Sequence, residues 1–325
     1  MKVVHAAITP ILFTIASAAA SEPSSYAVSW TSYTSGAGVP ISYRNPTSAL
    51  GQPTRFSGVG VEPGVVSPFQ PAFMASEVVG IGPGGSLVLA FDHDVPDDPA
   101  NPFGIDLIVF GNSFFADLEY PLGTCSVLYS EGGLIDVSED GVIWHTVPGV
   151  AADGALPTLG FLDAGPYDMT PGAELSDFTR PVDPAAALAM GEGTTFDQLL
   201  SLYDGSGGGA GVDLASVGLA KARFVRIRVP VGSCCTAEID AISAVKPAAP
   251  PLSIGDINAD GVVNGVDLAI VLGAWGTDGT MKSGASADLD GDGIVDGADL
   301  AIVGSNGAIT SCTWPPSPSI IWAMT

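Results

Sequence analysis

One acidic pattern occurs twice near the end of the chain. Asp256-Ile-Asn-Ala-Asp-Gly-Val-Val-Asn-Gly-Val-Asp267 returns 32 positions later as Asp288-Leu-Asp-Gly-Asp-Gly-Ile-Val-Asp-Gly-Ala-Asp299. Oxygen-bearing side chains hold loop positions 1, 3, 5, 9 and 12 in both copies. They are Asp256, Asn258, Asp260, Asn264 and Asp267, then Asp288, Asp290, Asp292, Asp296 and Asp299. Gly261 and Gly293 hold position 6, where a sharp turn needs a residue without a β-carbon. Position 7, Val262 and Ile294, offers a backbone carbonyl whatever its side chain. The next residues, Val263 and Val295, are expected to point inward and pin the loops. Oxygen ligands at this spacing suit a hard cation, and calcium fits best. Charge imposes the same condition. From Leu252 to Thr310 there are nine Asp, no Glu and one Lys. Two carboxylates about 4 Å apart repel by roughly 4 kcal/mol at an effective dielectric near 20, so several converging on one point need a counter-ion.

After Asp267, the residues Leu268, Val271, Leu272 and Trp275 form an i, i+3, i+4, i+7 stripe, which predicts one amphipathic helix stopped by Gly276. Prolines precede the first loop, and Gly284, Ala285 and Ser286 precede the second, so no helix is expected on that side. Each unit is a loop plus one helix, half of an EF-hand. This arrangement, with Asp at position 12, resembles a dockerin, the duplicated calcium-binding module of secreted bacterial proteins. The resemblance covers about a sixth of the chain and implies a calcium-dependent partner, either a cohesin-like protein or a component of the cell envelope. Two features depart from it. Positions 10 and 11 are Gly265-Val266 and Gly297-Ala298, where well-studied dockerins often carry a hydroxyl pair that reads the cohesin. A shift of 32 also turns Leu272 into Gly304 and Trp275 into Gly307, so the second helix is expected to shorten to a turn or two over Asp299–Val303.

The rest of the chain is read as exported. Lys2 and His5, the apolar run from Ala6 to Ala16 and Ala18-Ala19-Ala20 have the layout of a secretory signal over 1–20. No run reaches the ~20 apolar residues of a membrane span. A formal net charge of −25 with ten Lys and Arg excludes nucleic acid and anionic membrane as partners. Export permits disulfides among Cys125, Cys234, Cys235 and Cys312. Cys125 with Cys234 or Cys235 would tie distant strands, a Cys234–Cys235 bond would be strained, and buried free thiols are the alternative. The spacing is not that of a zinc site.

Residues 21–246 read as strands and turns. Gly and Pro, 42 and 26 residues, make about a fifth of the chain and suit short strands with tight connections. Strands are expected at Tyr26–Trp30, Ser86–Phe91, Ile105–Phe110, Ser126–Tyr129, Leu134–Val137, Val142–Val147, Ala222–Val229 and Ala237–Ile242, the last alternating Ile239 with Asp240. Asp92-His93-Asp94 and Ser138–Gly141 read as turns. Thr195 is placed to cap a short helix over Phe196–Tyr203, and Gly205–Gly211 reads as a flexible loop. It lacks the Lys-Ser/Thr of a phosphate loop. The fold class is mainly β: an antiparallel, jelly-roll-like sandwich over 21–246, a Pro-rich linker over 247–251, a small α module over 252–310 and a tail over 311–325.

Three phrases resemble discoidin-like, galactose-binding-like sandwiches: Val137-Ser-Glu-Asp-Gly-Val-Ile-Trp144, Ala222-Arg-Phe-Val-Arg-Ile227 and Glu238-Ile-Asp-Ala-Ile242. The resemblance implies a recognition domain, with polysaccharide as one ligand class. It also implies a structural calcium held by loop carbonyls and an acid of the last strand, here Glu238. Asp92, His93 and Asp94, with Asp97 and Asp98 nearby, read as a solvated acidic loop, and His145 as a strand residue. No nucleophile elbow or zinc-protease helix is present, and no catalytic residue is assigned. The expected function is a secreted or cell-surface, non-catalytic protein with a calcium-dependent attachment module. The alternatives are a polysaccharide hydrolase or lyase carrying a dockerin, and a structural surface-layer component.

Overall fold

The computed structural model describes residues 23–154, 156–246, 255, 257, 263–279 and 286–306. The chain divides into two compact units between Lys246 and Pro247. The signal-like segment, the 247–251 linker, Cys312 and the 311–325 tail lie outside the described residues.

The larger unit is built of antiparallel strands: β1 (Ser29–Thr34), β2 (Phe56–Ser57), β3 (Gly64–Val65), β4 (Val79–Ile81), β5 (Ser86–Pro96), β6 (Leu107–Gly111), β7 (Phe114–Asp117), β8 (Cys125–Tyr129), β9 (Gly132–Ser138), β10 (His145–Asp153), β11 (Ala210–Val212), β12 (Lys221–Arg228) and β13 (Ala237–Ala244). One sheet has the order β1-β5-β12-β9-β10 and a second β11-β6-β13-β4. The inward residues of both sheets share one core. Leu87, Leu89, Ile135, Val225 and Ile227 come from the first, and Ile81, Leu107, Val109, Val212 and Ile239 from the second. Each such side chain, fully buried, contributes about 1.5–3 kcal/mol. The alternation in β12 that buries Val225 and Ile227 turns Arg226 and Arg228 to the other face. There both reach the buried Asp136 of β9, at 2.9 and 2.7 Å, and Arg226 also stacks 4.3 Å from the Trp144 ring centroid.

Two short helices, α1 (Pro184–Ala187) and α2 (Phe196–Tyr203), lie between β10 and β11. The expected cap is present. The Thr195 side chain accepts from Gln198 N, and the Gln198 side chain accepts from Thr195 N. Phe196, Leu199 and Tyr203 bury one face of α2 in a satellite core with Phe69, Phe115, Cys125 and Leu159. Cys125 is a buried free thiol there, so the bridge to Cys234 or Cys235 is not formed. Cys234 and Cys235 are free thiols whose Sγ atoms lie 2.8 Å apart.

Several local expectations are corrected. Strand β1 begins at Ser29, and Tyr26 makes only an isolated bridge to Ser243. Asp92-His93-Asp94 is not a turn but part of β5, which runs on to Pro96 through a register irregularity opposite Arg223. The strand expected from Val142 starts at His145, because the Asp140 carboxylate accepts from the amides of Val142 and Ile143 and prolongs the turn. The glycines of 205–211 are packed rather than loose. A Cβ at Gly207 would meet Phe178 at 2.2 Å, and one at Gly209 would meet Ile108 at 2.4 Å. Asp240 does not face solvent: it is buried and accepts from Thr54 N and Oγ1.

The smaller unit contains α3 (Gly265–Gly273) and α4 (Gly297–Asn306). The expected shortening of the second helix is not observed, since α4 has ten residues to nine in α3. Its helical state is held by packing of Val303 with Val263, Val271 and Val295, which outweighs the cost of Gly304, roughly 1 kcal/mol. The expected stripe is only partly helical and only partly buried, since α3 ends at Gly273, before Trp275 and the expected stop at Gly276. Val271 is fully enclosed, but Leu272 and Trp275 are 54% and 49% exposed. Among the described residues no helix is long and apolar enough to cross a membrane.

Candidate metal centre

The acids of the second loop fall into two sets. Asp299 lies at the start of α4 and is fully buried. Its Oδ1 accepts from Leu289 N at 2.7 Å and Asp290 N at 3.2 Å, and its Oδ2 from Asp296 N at 2.8 Å. The Asp296 amide holds its carboxyl below the usual range, and the other two amides act the same way against burial. Asp296 Oδ1 accepts from Ala298 N at 2.7 Å, capping the helix. These two residues therefore shape the loop.

Asp288, Asp290 and Asp292 form the other set. One carboxylate oxygen of each lies within 4.8 Å of those of the other two. Backbone amides gather them. Asp288 accepts from Gly291 N and Gly293 N, Asp290 from Asp292 N, and Asp292 from Ile294 N. Gly291 and Gly293 have φ of 77° and 90°, which the tight turn requires and which other side chains resist. The Asp292 amide lowers the Asp290 carboxyl, but burial and the charges of Asp292, Asp299 and Asp288 outweigh it, and the net shift is upward. Val295 is buried as expected, while the Ile294 side chain is half exposed, consistent with a position that contributes only its carbonyl.

The first loop repeats this construction where it is described. Asp267 Oδ1 accepts from Ile257 N at 2.8 Å and Oδ2 from Asn264 N at 2.9 Å, and Asn264 Oδ1 accepts from Val266 N at 2.7 Å. Each partner lies 32 residues before its counterpart in the second loop. Asp256, Asn258, Asp260 and Val262 lie outside the described residues. Within the smaller unit the two repeats join where Val295 N donates to Thr277 O and Gly276 N donates to Val295 O, both at 2.8 Å.

In the sandwich, the structure gives Glu238 neighbours that the sequence did not signal. Glu131, just before β9, Asp153, at the end of β10, and Glu238 each offer an oxygen within 4.8 Å of the others. Asp153 is fully buried, its Oδ1 has no hydrogen-bond partner, and its Oδ2 accepts only a 3.4 Å contact from Glu131 N. Burial, then Glu131, pushes the Asp153 carboxyl far up. The same causes push Glu238 up to about 7. Gly111 makes the room, since a Cβ there would meet Asp153 Oδ1 at 2.6 Å. These acids come from segments far apart in the chain, and no short-range pattern links them. The Asp92–Asp94 group instead forms surface pairs: His93 Nδ1 with Asp92 at 2.7 Å and Lys221 with Asp94 at 2.5 Å. His145 opens β10 and is partly exposed.

Comparison with protein families matches residues 254–306 to the dockerin type I domain. The chain therefore carries a C-terminal dockerin segment behind a mainly β, antiparallel unit. No curated protein matches the chain.

Proposed function

We propose that this chain is an exported, non-catalytic protein that attaches through a calcium-loaded C-terminal dockerin and presents its β-sandwich for recognition. The observation that carries the reading is the convergence of Asp288, Asp290 and Asp292 inside a loop closed by Asp299, within a segment that matches the dockerin type I domain. Calcium neutralises the three carboxylates and links ion binding to folding of the unit. The first loop holds a second ion in the same way through Asp256, Asn258 and Asp260, with the Val262 carbonyl beside them and Asn264 and Asp267 closing the loop. Binding exposes no new chemistry. It fixes the relation of the two helices, and Val266 and Leu272 of α3 and Trp275 just past it are exposed. Exposed apolar side chains suit a cohesin-like partner. Gly265 and Gly297 stand open at the helix starts, so recognition there falls to Val266 and Ala298 and not to hydroxyls.

The sandwich is read as discoidin-like and galactose-binding-like, with polysaccharide as its ligand class. The calcium that this likeness implies is assigned to Glu131, Asp153 and Glu238. The unpartnered, buried Asp153 Oδ1 fits a hard cation. Full burial of Asp153 supports a structural role over an acid–base one, since a catalytic carboxyl must reach substrate.

Retention of the intact protein on immobilised cohesin, in calcium and then in chelator, tests the attachment. Retention in calcium with release by chelator is expected, whereas passage through the column in both buffers contradicts it. A glycan array probed with the same protein tests the recognition half, and hydrolysis or elimination products from an arrayed polysaccharide would replace it with the enzyme reading.

A further inference from the structure

A third acidic cluster lies where the connection from β5 to β6 meets the segment leaving β11. Asp97 and Asp106 bound this connection, and Asp213 follows β11. One carboxylate oxygen of each lies within 4.8 Å of the other two. Asp106 is fully buried, and both its oxygens are engaged. Oδ1 accepts from Asp98 N at 3.1 Å and from Asn101 Nδ2 at 2.9 Å, and Oδ2 accepts from Leu214 N at 2.9 Å. Asp213 is fixed through Oδ1, which accepts from Ala215 N at 2.8 Å. The ionised neighbour that acts on Asp106 is Asp97, another acid.

Asn101 supplies an observation independent of the acids. Its side chain is only 6% exposed, and its Oδ1 is buried with no hydrogen-bond partner. The amide cannot be turned over to relieve this. Turning it would set an oxygen 2.9 Å from the Asp106 carboxylate in place of the donor. The planar amide therefore keeps Nδ2 on Asp106 and leaves an acceptor beside the cluster. A buried acceptor without a donor keeps its desolvation cost uncompensated. A cation answers it and the three neighbouring carboxylates together.

We infer that Asp97, Asp106, Asp213 and Asn101 Oδ1 form a binding site for a divalent, oxygen-preferring cation of the calcium class. The donors are all hard oxygens, with neither sulfur nor imidazole. The ion would tie the β5–β6 connection to the segment leaving β11. Ile105 and Asp213 also line a cavity of about 500 Å³ walled by Leu128, Val147, Val150 and Leu156, so the ion would brace one side of its mouth. This site is separate from the dockerin loops and from the Glu131–Asp153–Glu238 group, and it does not depend on either.

The test counts ions on the intact protein. Chelator-stripped protein is titrated with calcium by calorimetry, and bound ions are counted by native mass spectrometry. The Asp97→Asn, Asp213→Asn double variant, nearly isosteric and less self-repelling, is compared with the parent. The variant is expected to bind one calcium fewer, and its calcium-induced rise in Tm to be smaller, while its Tm in chelator stays at or above the parent's. An Asp256→Ala, Asp288→Ala protein should lose tail ions and keep this one, so failure of the dockerin reading is seen separately. Equal ion counts in parent and double variant, with equal calcium-induced shifts in Tm, would overturn the inference. A variant that has lost its fold is recognised by its far-UV spectrum in chelator. In that case Asn101→Leu, which keeps every carboxylate and removes the unpartnered oxygen, decides: weaker binding of one ion supports the site, and unchanged binding refutes it.

Discussion

Asp299 Oδ1 accepts a 2.7 Å hydrogen bond from the amide of Leu289, so the residue that closes the second acidic loop also holds its opening. With Asp290 N and Asp296 N on the same carboxylate, one side chain fixes three amides spread over the loop. Asp299→Ala removes all of them, among them the bond to Asp296 N that reciprocates the Asp296 cap. We expect it to cost the small unit about 2 kcal/mol in calcium-free buffer, at the upper end of the range for a lost cap, and to weaken calcium binding as well. Denaturant melts of the intact protein, followed by the Trp275 environment, measure the first effect. An unchanged midpoint would mean that the carboxylate is not holding the loop.

Gly304 is the residue whose presence predicted a shortened second helix. It is exposed within α4, and a Cβ there would meet nothing within 4 Å. Gly304→Ala should therefore stabilise the small unit by roughly 0.5–1 kcal/mol, through helix propensity alone. A rise in its Tm with unchanged calcium stoichiometry is the expected result.

These two residues mark how far the sequence could be read. The acidic loop was legible because its carboxylates follow one another in the chain, at spacings set by the backbone. The strands were legible where buried and exposed residues alternate, as from Val225 to Arg228. Helix α4 was misread because its stability comes from Val303 packing with Val263 and Val271, contacts across the duplicated unit that local propensity does not contain. Asp92–Asp94 looked like a turn because polar runs usually are, but pairing of Val95 and Pro96 with Ala222 and Lys221 of β12 carried the strand through. Asp153 and Glu131 had no signal, because only the folded sheet brings them to Glu238.

The Asp136 pair of arginines gives a third prediction. Burial alone would raise the Asp136 carboxyl, but Arg228, Thr146 and Arg226 outweigh it and hold it below its ordinary value. Its contribution to stability is present above the unfolded carboxyl value, near pH 4, and is lost as pH falls through the lower folded one. Asp136→Ala leaves two arginines facing each other. We expect a loss of about 3 kcal/mol, at the low end for a broken buried pair because both guanidinium groups keep some water. Chemical denaturation of the sandwich at neutral pH measures it.

The Glu131–Asp153–Glu238 group has the opposite sign. The raised carboxyls of Asp153 and Glu238 stabilise the fold when protonated, and that contribution is lost as pH rises through the folded values, about 7 for Glu238 and higher for Asp153. In chelator, the sandwich should melt lower at pH 8 than at pH 6, by roughly 2–4 °C for each kcal/mol lost. Calcium should close the gap by stabilising the ionised acids. A calcium-independent pH slope would show that no ion binds there.

The central claim is that the duplicated acidic loops take their shape around calcium. It is tested most directly by calcium titration of the stripped, intact protein, followed by calorimetry and far-UV circular dichroism, beside the Asp256→Ala, Asp288→Ala variant. Two calcium ions bound by the parent and not by the variant are expected, with helical signal gained only in the parent. Equal calcium uptake by both proteins, with no change in helical signal in either, would contradict it.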